Sequence, residues 1–336
     1  RAPVVLAIAG ETSAGDAPGP PLAPSAARAV MTGAPIPPGA DAVVQVEWTE
    51  AVSDREVRIM KPVAAGANIR RAGSDIAGNS VPLRKGHLVR AYEQGVMASL
   101  GIGFIAVRRK PLVYFIPTGN ELTEPGKPLG PGKIRESNSP VVTGLLRREG
   151  CDVRSSPITP DDRGLLSAAI GGGSGCDMFV TTGGVSAGRH DIVPEILADA
   201  GVGIVFHKVN IKPGMPLLFG MRGDTPFFSL PGNPVSAAVT FLQFVRPAIR
   251  KMSGDPDPGR KEIVRARLAA GIVKKDGKRH FLRGRLENLN GEPTVRVAGV
   301  QESNVASALA AADCLIILPE DRRDFAESEY VETEML

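Results

Sequence analysis

The chain has 336 residues, which predicts about two domains and leaves room for three or four small ones. A hydrophobic fraction of 43% suffices for real cores, so its 39 glycines and 29 prolines signal many turns instead of disorder. The net charge of +4 is small for this length and implies neither a nucleic-acid-binding nor a membrane-surface field. Cys151, Cys176 and Cys314 show neither disulfide nor zinc spacing, which suits a reducing cytoplasm. No apolar run approaches the ~18 residues of a membrane span, and no signal peptide is seen. The chain opens at Arg1-Ala-Pro-Val-Val-Leu, in what reads as the middle of a domain, so an upstream segment is expected.

Residues 1–76 contain short apolar runs at 4–9, 42–46 and 57–60 between Pro/Gly segments, and predict a small β-rich domain. Residues 11–25 read as an exposed loop. Met31-Thr-Gly-Ala-Pro is a turn at a strand end. In Asn68-Ile-Arg-Arg-Ala-Gly-Ser-Asp75, Arg70, Arg71 and Asp75 share a glycine turn; they are either solvated charges or an anion or metal-bridged site. Residues 77–109 form a connecting segment with a helix over 89–101.

Residues 110–254 alternate strands and helices as a doubly wound α/β domain does. The strand at 112–116 ends in Pro117-Thr-Gly-Asn-Glu121. A helix over 139–149 stops at Gly150, and a strand follows at 152–158. Thr159 reads as the N-cap of the next helix, with Pro160 at its first position and Asp162 closing a capping box. The apolar run 178–182 stops at Gly183-Gly184 and continues through Val-Ser186-Ala-Gly188-Arg-His-Asp191 into a helix from Pro194. Bare amides at such a turn favour an anion, although strand–turn–helix loops without a ligand are also common. A strand at 202–208 leads into Val209-Asn-Ile-Lys212, where alternation puts Lys208, Asn210 and Lys212 on one face, either an oxyanion surface or a solvated edge. The strand at 227–230 runs into Pro231-Gly-Asn-Pro234, a stiff loop suited to a flat heterocycle or simply a rigid turn, and a helix over 237–249 closes the unit. In a right-handed βαβ array the turns at 118–121, 183–188 and 231–234 fall on one side of the sheet. Carboxylates beside an anion seat, here Glu121, Asp161 and Asp191, make electrostatic sense if they hold Mg²⁺ or orient hydroxyls and amines. Asp162 needs no role beyond capping. His87, His207 and His280 read as surface or core residues, with His190 open. Residues 255–336, with β-branched runs at 262–268, 294–297 and 314–318, read as a second small β domain.

Six stretches then occur in an order that resembles the molybdopterin molybdenumtransferase family, the MoeA type of bacterial molybdenum cofactor biosynthesis, also represented by the gephyrin E domain. They are Met31-Thr-Gly-Ala-Pro, Asn68 to Asp75, Pro117 to Glu121, Thr182-Gly-Gly-Val-Ser-Ala-Gly with Asp191, Lys208-Val-Asn-Ile-Lys212-Pro-Gly, and Leu230-Pro-Gly-Asn-Pro-Val-Ser236. The resemblance covers nearly the whole chain. It implies an enzyme that takes adenylylated molybdopterin and molybdate, hydrolyses the adenylate with Mg²⁺ and inserts molybdenum into the dithiolene, releasing AMP. Catalytic roles are implied for Asp75, Glu121, Asp161, Asp191, Lys208 and Lys212, with Asp191 and Glu121 as metal ligands. Cofactor contacts are implied for Thr32, Arg70, Pro231, Pro234 and Ser303, joining Gly183, Gly184, Ser186 and Gly188 of the glycine turn. Thr32, Arg70 and Asp75 match residues that face the cleft from the partner subunit of a homodimer. A molybdopterin adenylyltransferase is the implied upstream partner, in the cytoplasm, with no nucleic acid and no membrane. Met215 stands where many bacterial members carry a further lysine, and the Met-Asp-Gly-Tyr-Ala type of motif expected upstream is absent. Molybdenum enters through the resemblance alone. The other readings are a molybdopterin adenylyltransferase, which segments 1–109 and 255–336 argue against, and a gephyrin-like scaffold.

Overall fold

A computed structural model describes residues 3–185 and 192–336. The chain divides into two compact units, Arg1–Arg84 and Lys85–Leu336. The first carries a four-stranded sheet in the order Ala26–Val30, Val4–Thr12, Glu56–Ile59, Thr49–Ser53. Its first two strands pair in parallel and the others antiparallel. A slip of register between Ile8 and Glu11 bends the long strand. The apolar run at 42–46, expected as a strand, is irregular and ends in a short 3₁₀ turn, Val46–Trp48. The backbone there follows turn contacts instead, Val43 N–H donating to Ala67 O and Asn68 Nδ2 to Val43 O. Of the loop expected over 11–25, Glu11 and Thr12 instead end the long strand, with Thr12 buried, and residues 13–25 form an irregular, largely exposed stretch.

The second unit begins with a helix, Ala91–Ser99, and is organised on a six-stranded sheet. Its order is Gly203–His207, Leu218–Arg222, Thr225–Leu230, Met178–Thr182, Leu112–Pro117, Asp152–Ser155. The last four are mutually parallel. Continuous apolar strands suit this position because helices cover both faces and leave no wet side to alternate toward. Val113, Phe115, Met178, Val180, Phe228 and Leu230 face the helix Asn138–Arg148 and the long helical stretch 234–253. Tyr114, Ile116, Phe179 and Phe227 face the helices Arg163–Gly172 and Val193–Asp199. The sequence reading missed the Leu218–Arg222 strand. It forms a hairpin with Thr225–Leu230 across Gly223, at φ +57°, and makes the sheet mixed.

The helix expected to start at Thr159 starts later. Asp162 is the N-cap and its Oδ1 accepts from Leu165 N–H at 2.9 Å. Thr159 is instead buried at the sheet edge, bridged to Thr118.

The last segment pairs Arg279–Leu289, Glu292–Val297, Ile263–Leu268, Tyr330–Met335 and Cys314–Leu318, and the fifth strand returns to the first to close a ring. Phe281 and Leu315 of this ring join the core that lies beneath the 234–253 helices. A buried ion pair between Arg246 and Glu334 links helix to ring. No helix among the described residues is long and apolar enough to cross a membrane.

Candidate functional site

Because four adjacent strands run parallel, their carboxyl ends meet at one edge, and the turns at 118–121, 156–162, 183–185 and 231–233 lie side by side. Backbone and side-chain bonds lock them together. Thr118 donates to Thr182 O through both its N–H, at 2.9 Å, and its Oγ1, at 3.0 Å. Gly119 N–H donates to Thr159 O and Gly183 N–H to Leu230 O. Gly183 sits at φ +92°, and a Cβ there would come 2.3 Å from Thr118 O. Only glycine allows so close an approach of two turns.

The polar side chains at this edge are held from outside it. Asp161 and Asn120 clamp each other: Asn120 N–H donates to Asp161 Oδ2 at 3.3 Å, and Asp161 N–H to Asn120 Oδ1 at 3.1 Å. Glu136 Oε1 accepts from the N–H groups of Asn138 and Ser139, both at 2.8 Å, which satisfies the first turn of that helix. Asn138 Nδ2 then donates to Gly232 O at 2.7 Å and ties the helix to the proline loop. From the C-terminal ring, Ser303 accepts at Oγ from Asn233 Nδ2, at 2.9 Å, and at its carbonyl from Val235 N–H, at 3.1 Å. Asn138 Oδ1, Asp161 Oδ1 and the hydroxyls of Thr181, Thr182 and Ser229 are buried without a hydrogen-bond partner among the described residues. Buried polar atoms are normally paired, so this concentration marks an edge built for a polar ligand.

Glu121, Asp161, Gly183, Gly184, Pro231, Pro234 and Ser303 thus belong to one edge or to loops bonded to it. Glu121 is exposed. Ser186, Gly188, His190 and Asp191 lie outside the described residues. Thr32, Arg70 and Asp75 are in the first unit, all exposed, with no side-chain hydrogen bond or ion pair among the described residues. Among the described residues, no three His, Cys, Asp or Glu side chains form a metal-ready group. The carboxylate chemistry present, Glu121 and the unpartnered Oδ1 of Asp161, is the hard-oxygen type that Mg²⁺ takes.

The shared strand face expected for Lys208, Asn210 and Lys212 does not form. The strand ends at His207, and Lys208 takes a left-handed φ of +77° that turns the chain. Lys208 N–H donates to Leu217 O at 2.8 Å, placing Lys208 at the same carboxyl edge because its strand runs with Thr225–Leu230. Lys212 falls in a different sheet, where Ile211–Lys212 pairs with Arg279–Leu289. Its Nζ is 3.2 Å from Asp276 Oδ2. Asp276 Oδ1 meets His280 Nε2 at 2.7 Å, and these contacts, His280 first, hold its carboxyl below the usual range. Burial lowers the His280 imidazole despite that carboxylate. The other two described histidines are also accounted for, His87 beside Glu93 and His207 beside Val185 O.

Sequence reasoning missed Glu136, Asn138 and Asp276. Glu136-Ser-Asn carried a helix-start signal, whereas nothing local marked Asp276, 64 residues from its partner Lys212. A cleft of about 510 Å³ between Lys261, Phe281, Arg322 and Tyr330 on the C-terminal ring contains none of the expected site residues. Lys261, Arg279, Arg322 and Glu329 of its lining are already engaged in ion pairs, and the sheet edge has the stronger chemical case.

Comparison with known proteins bears on the same regions. The family models "MoeA N-terminal region (domain I and II)", "Probable molybdopterin binding domain" and "MoeA C-terminal region (domain IV)" match residues 3–101, 114–251 and 265–336. Molybdopterin molybdenumtransferase 2 of Mycobacterium tuberculosis is 38% identical over 325 residues, covering 95% of this chain and 79% of the relative. The molybdopterin molybdenumtransferase of Haemophilus influenzae is 34% identical over 333 residues, covering 98% and 82%. The crystal structure of the molybdopterin biosynthesis MoeA protein from Pyrococcus horikoshii OT3 superposes with a TM-score of 0.82 at 30% identity, over 99% of this chain and 82% of that one.

Proposed function

Since the chain belongs to the molybdopterin molybdenumtransferase family, we propose that it catalyses molybdenum insertion into molybdopterin, taking adenylylated molybdopterin and molybdate and releasing AMP. The observation that carries this reading is the set of unpartnered buried polar atoms at the carboxyl edge, framed by the 118–121, 183–185 and 231–233 turns. An edge of backbone amides and hydroxyls suits a phosphorylated, heteroatom-rich ligand. The stiff Pro231–Pro234 loop, braced by Asn138 and Ser303, would present a fixed backbone shape to the flat pterin or adenine. Lys208 would neutralise oxyanion charge at the same edge.

Mg²⁺ would be held by Glu121 and Asp191, with Asp161 close in the chain fold to Asn120, and would supply Lewis-acid polarisation of the phosphoryl oxygens. Thr32, Arg70 and Asp75 fit a site completed across a homodimer, each subunit lending its first unit to its partner. A molybdopterin adenylyltransferase would supply the substrate in the cytoplasm.

The test is a reconstituted reaction with adenylylated molybdopterin and molybdate, in which AMP is quantified by chromatography with and without Mg²⁺. AMP should appear in step with molybdenum-loaded cofactor. Sustained absence of AMP, with substrate intact, refutes the proposal.

A further inference from the structure

The parallel ladder between Leu112–Pro117 and Asp152–Ser155 continues past the ends of both strands. Thr159 N–H donates to Pro117 O at 2.9 Å, Gly119 N–H donates to Thr159 O at 3.2 Å, and Thr118 bridges Thr159. Beyond that point side chains take over from backbone, because the reciprocal Asn120–Asp161 clamp comes next along the same two segments. A third segment holds Asn120 as well, through the Lys133 ammonium, which donates to the Asn120 carbonyl oxygen. The N–H, the C=O and the Oδ1 of this one residue therefore all join the sheet edge together.

Two carboxylates converge on it. Asp161 Oδ2 accepts from Asn120 N–H, and the Glu121 carboxylate folds back over Gly119, where a Cβ would lie 2.8 Å from both of its oxygens. Like charges brought against one peptide repel, so an unrestrained Asp161 side chain would turn away toward water. Asp161 also directly precedes Asp162, the N-cap of Arg163–Gly172, which fixes its backbone from the other side. With Oδ2 engaged, Oδ1 is the oxygen left without a partner among the described residues. A carboxylate held through one oxygen presents the other in a single direction, which is how supporting residues orient a functional group.

We propose that Asn120 is a positioning residue for the Asp161 carboxylate, holding it beside Glu121 with one oxygen uncommitted. The inference rests on the functional reading above, in which Asp161 belongs to the reacting edge.

The experiment compares the intact chain with Asn120→Ala, Asn120→Asp, Asp161→Ala and the double variant Asn120→Ala/Asp161→Ala, by two readouts. In the reconstituted reaction, loss of the hydrogen-bonded hold in Asn120→Ala should lower kcat for AMP release about three- to tenfold and leave KM within about twofold. Asn120→Asp, which still offers an oxygen to Asp161 N–H, should recover most of that loss. The double variant should be no slower than Asp161→Ala, since a positioning residue has nothing left to hold once its carboxylate is gone. Independently of activity, hydrogen exchange of residues 157–163, followed by mass spectrometry, should quicken in Asn120→Ala and return toward wild type in Asn120→Asp. Unchanged exchange in Asn120→Ala overturns the inference. So do an unchanged kcat, a loss that Asn120→Asp shares in full, or losses that add in the double variant. Exchange that responds to Asn120 in a chain that releases no AMP would refute the proposed function and leave the clamp standing.

Discussion

Replacing Gly183 by alanine tests the architecture of the sheet edge at its tightest point. The residue lies at φ +92°, and a Cβ would meet the Thr118 carbonyl oxygen at 2.3 Å and its Oγ1 at 2.9 Å. The left-handed conformation costs an L-residue about 1–2 kcal/mol, and overpacking against a backbone atom adds about 1–3 kcal/mol. The total of about 2–5 kcal/mol corresponds to a fall in Tm of roughly 4–20 °C for a unit of this size. Gly201 supplies the control, being at φ +78° with nothing within 4 Å of its Cβ. Gly201→Ala should therefore carry only the conformational part. Thermal melts followed by circular dichroism on both variants isolate the clash as their difference. Equal melting temperatures would mean that Thr118 does not press on Gly183, and the account of how the two turns interlock would fail. AMP release by Gly183→Ala below its melting temperature should also drop, because relieving the contact moves one turn against the other.

Asn138→Ala removes the bond to Gly232 O, which costs about 1–3 kcal/mol if the carbonyl stays buried; substrate KM should rise more than kcat falls, and an unchanged KM would separate the 138–148 helix from ligand binding. The Cys151 thiol is pushed up to about 12 and Cys314 to about 11, both chiefly by burial. Folded pKa values above the unfolded ones mean that this stability is intact below pH 9 and declines as pH rises through 11 to 12, so denaturation midpoints should fall in that alkaline window and less so in Cys151→Ser. Asp75→Ala and Asp191→Ala, each inactive alone, should regain activity when co-expressed if the site is shared across a homodimer. Inactivity of mixed dimers confirmed by mass spectrometry would put both carboxylates in one subunit's site.

The sequence alone determined the strands of the central sheet other than Leu218–Arg222, and the motif order that led to the family. The run at 178–182 is legible because a strand covered on both faces needs unbroken apolar, β-branched residues, and Gly183-Gly184 ends it in a conformation other residues resist. From strand–helix alternation it followed that the turns at 118–121, 183–184 and 231–234 share an edge, and they do. The short-range signals that failed did so where tertiary contacts outweighed them. Residues 42–46 have strand composition but find no strand to pair with, and their backbone bonds go to Ala67 and Asn68. Alternation through Lys208–Lys212 assumed one strand, but the left-handed Lys208 and the pairing of Ile211–Lys212 with Arg279–His280 divide it between two sheets. The side-chain contacts of Lys212 with Asp276, Met215 with Lys278 and Asn233 with Ser303 join residues 63 to 70 apart in the chain. Periodicity and capping read only a few residues ahead, so contacts at such separations depend on how the C-terminal ring docks on the helices of the central sheet, which the burial of Phe281 and Leu315 in their shared core decides.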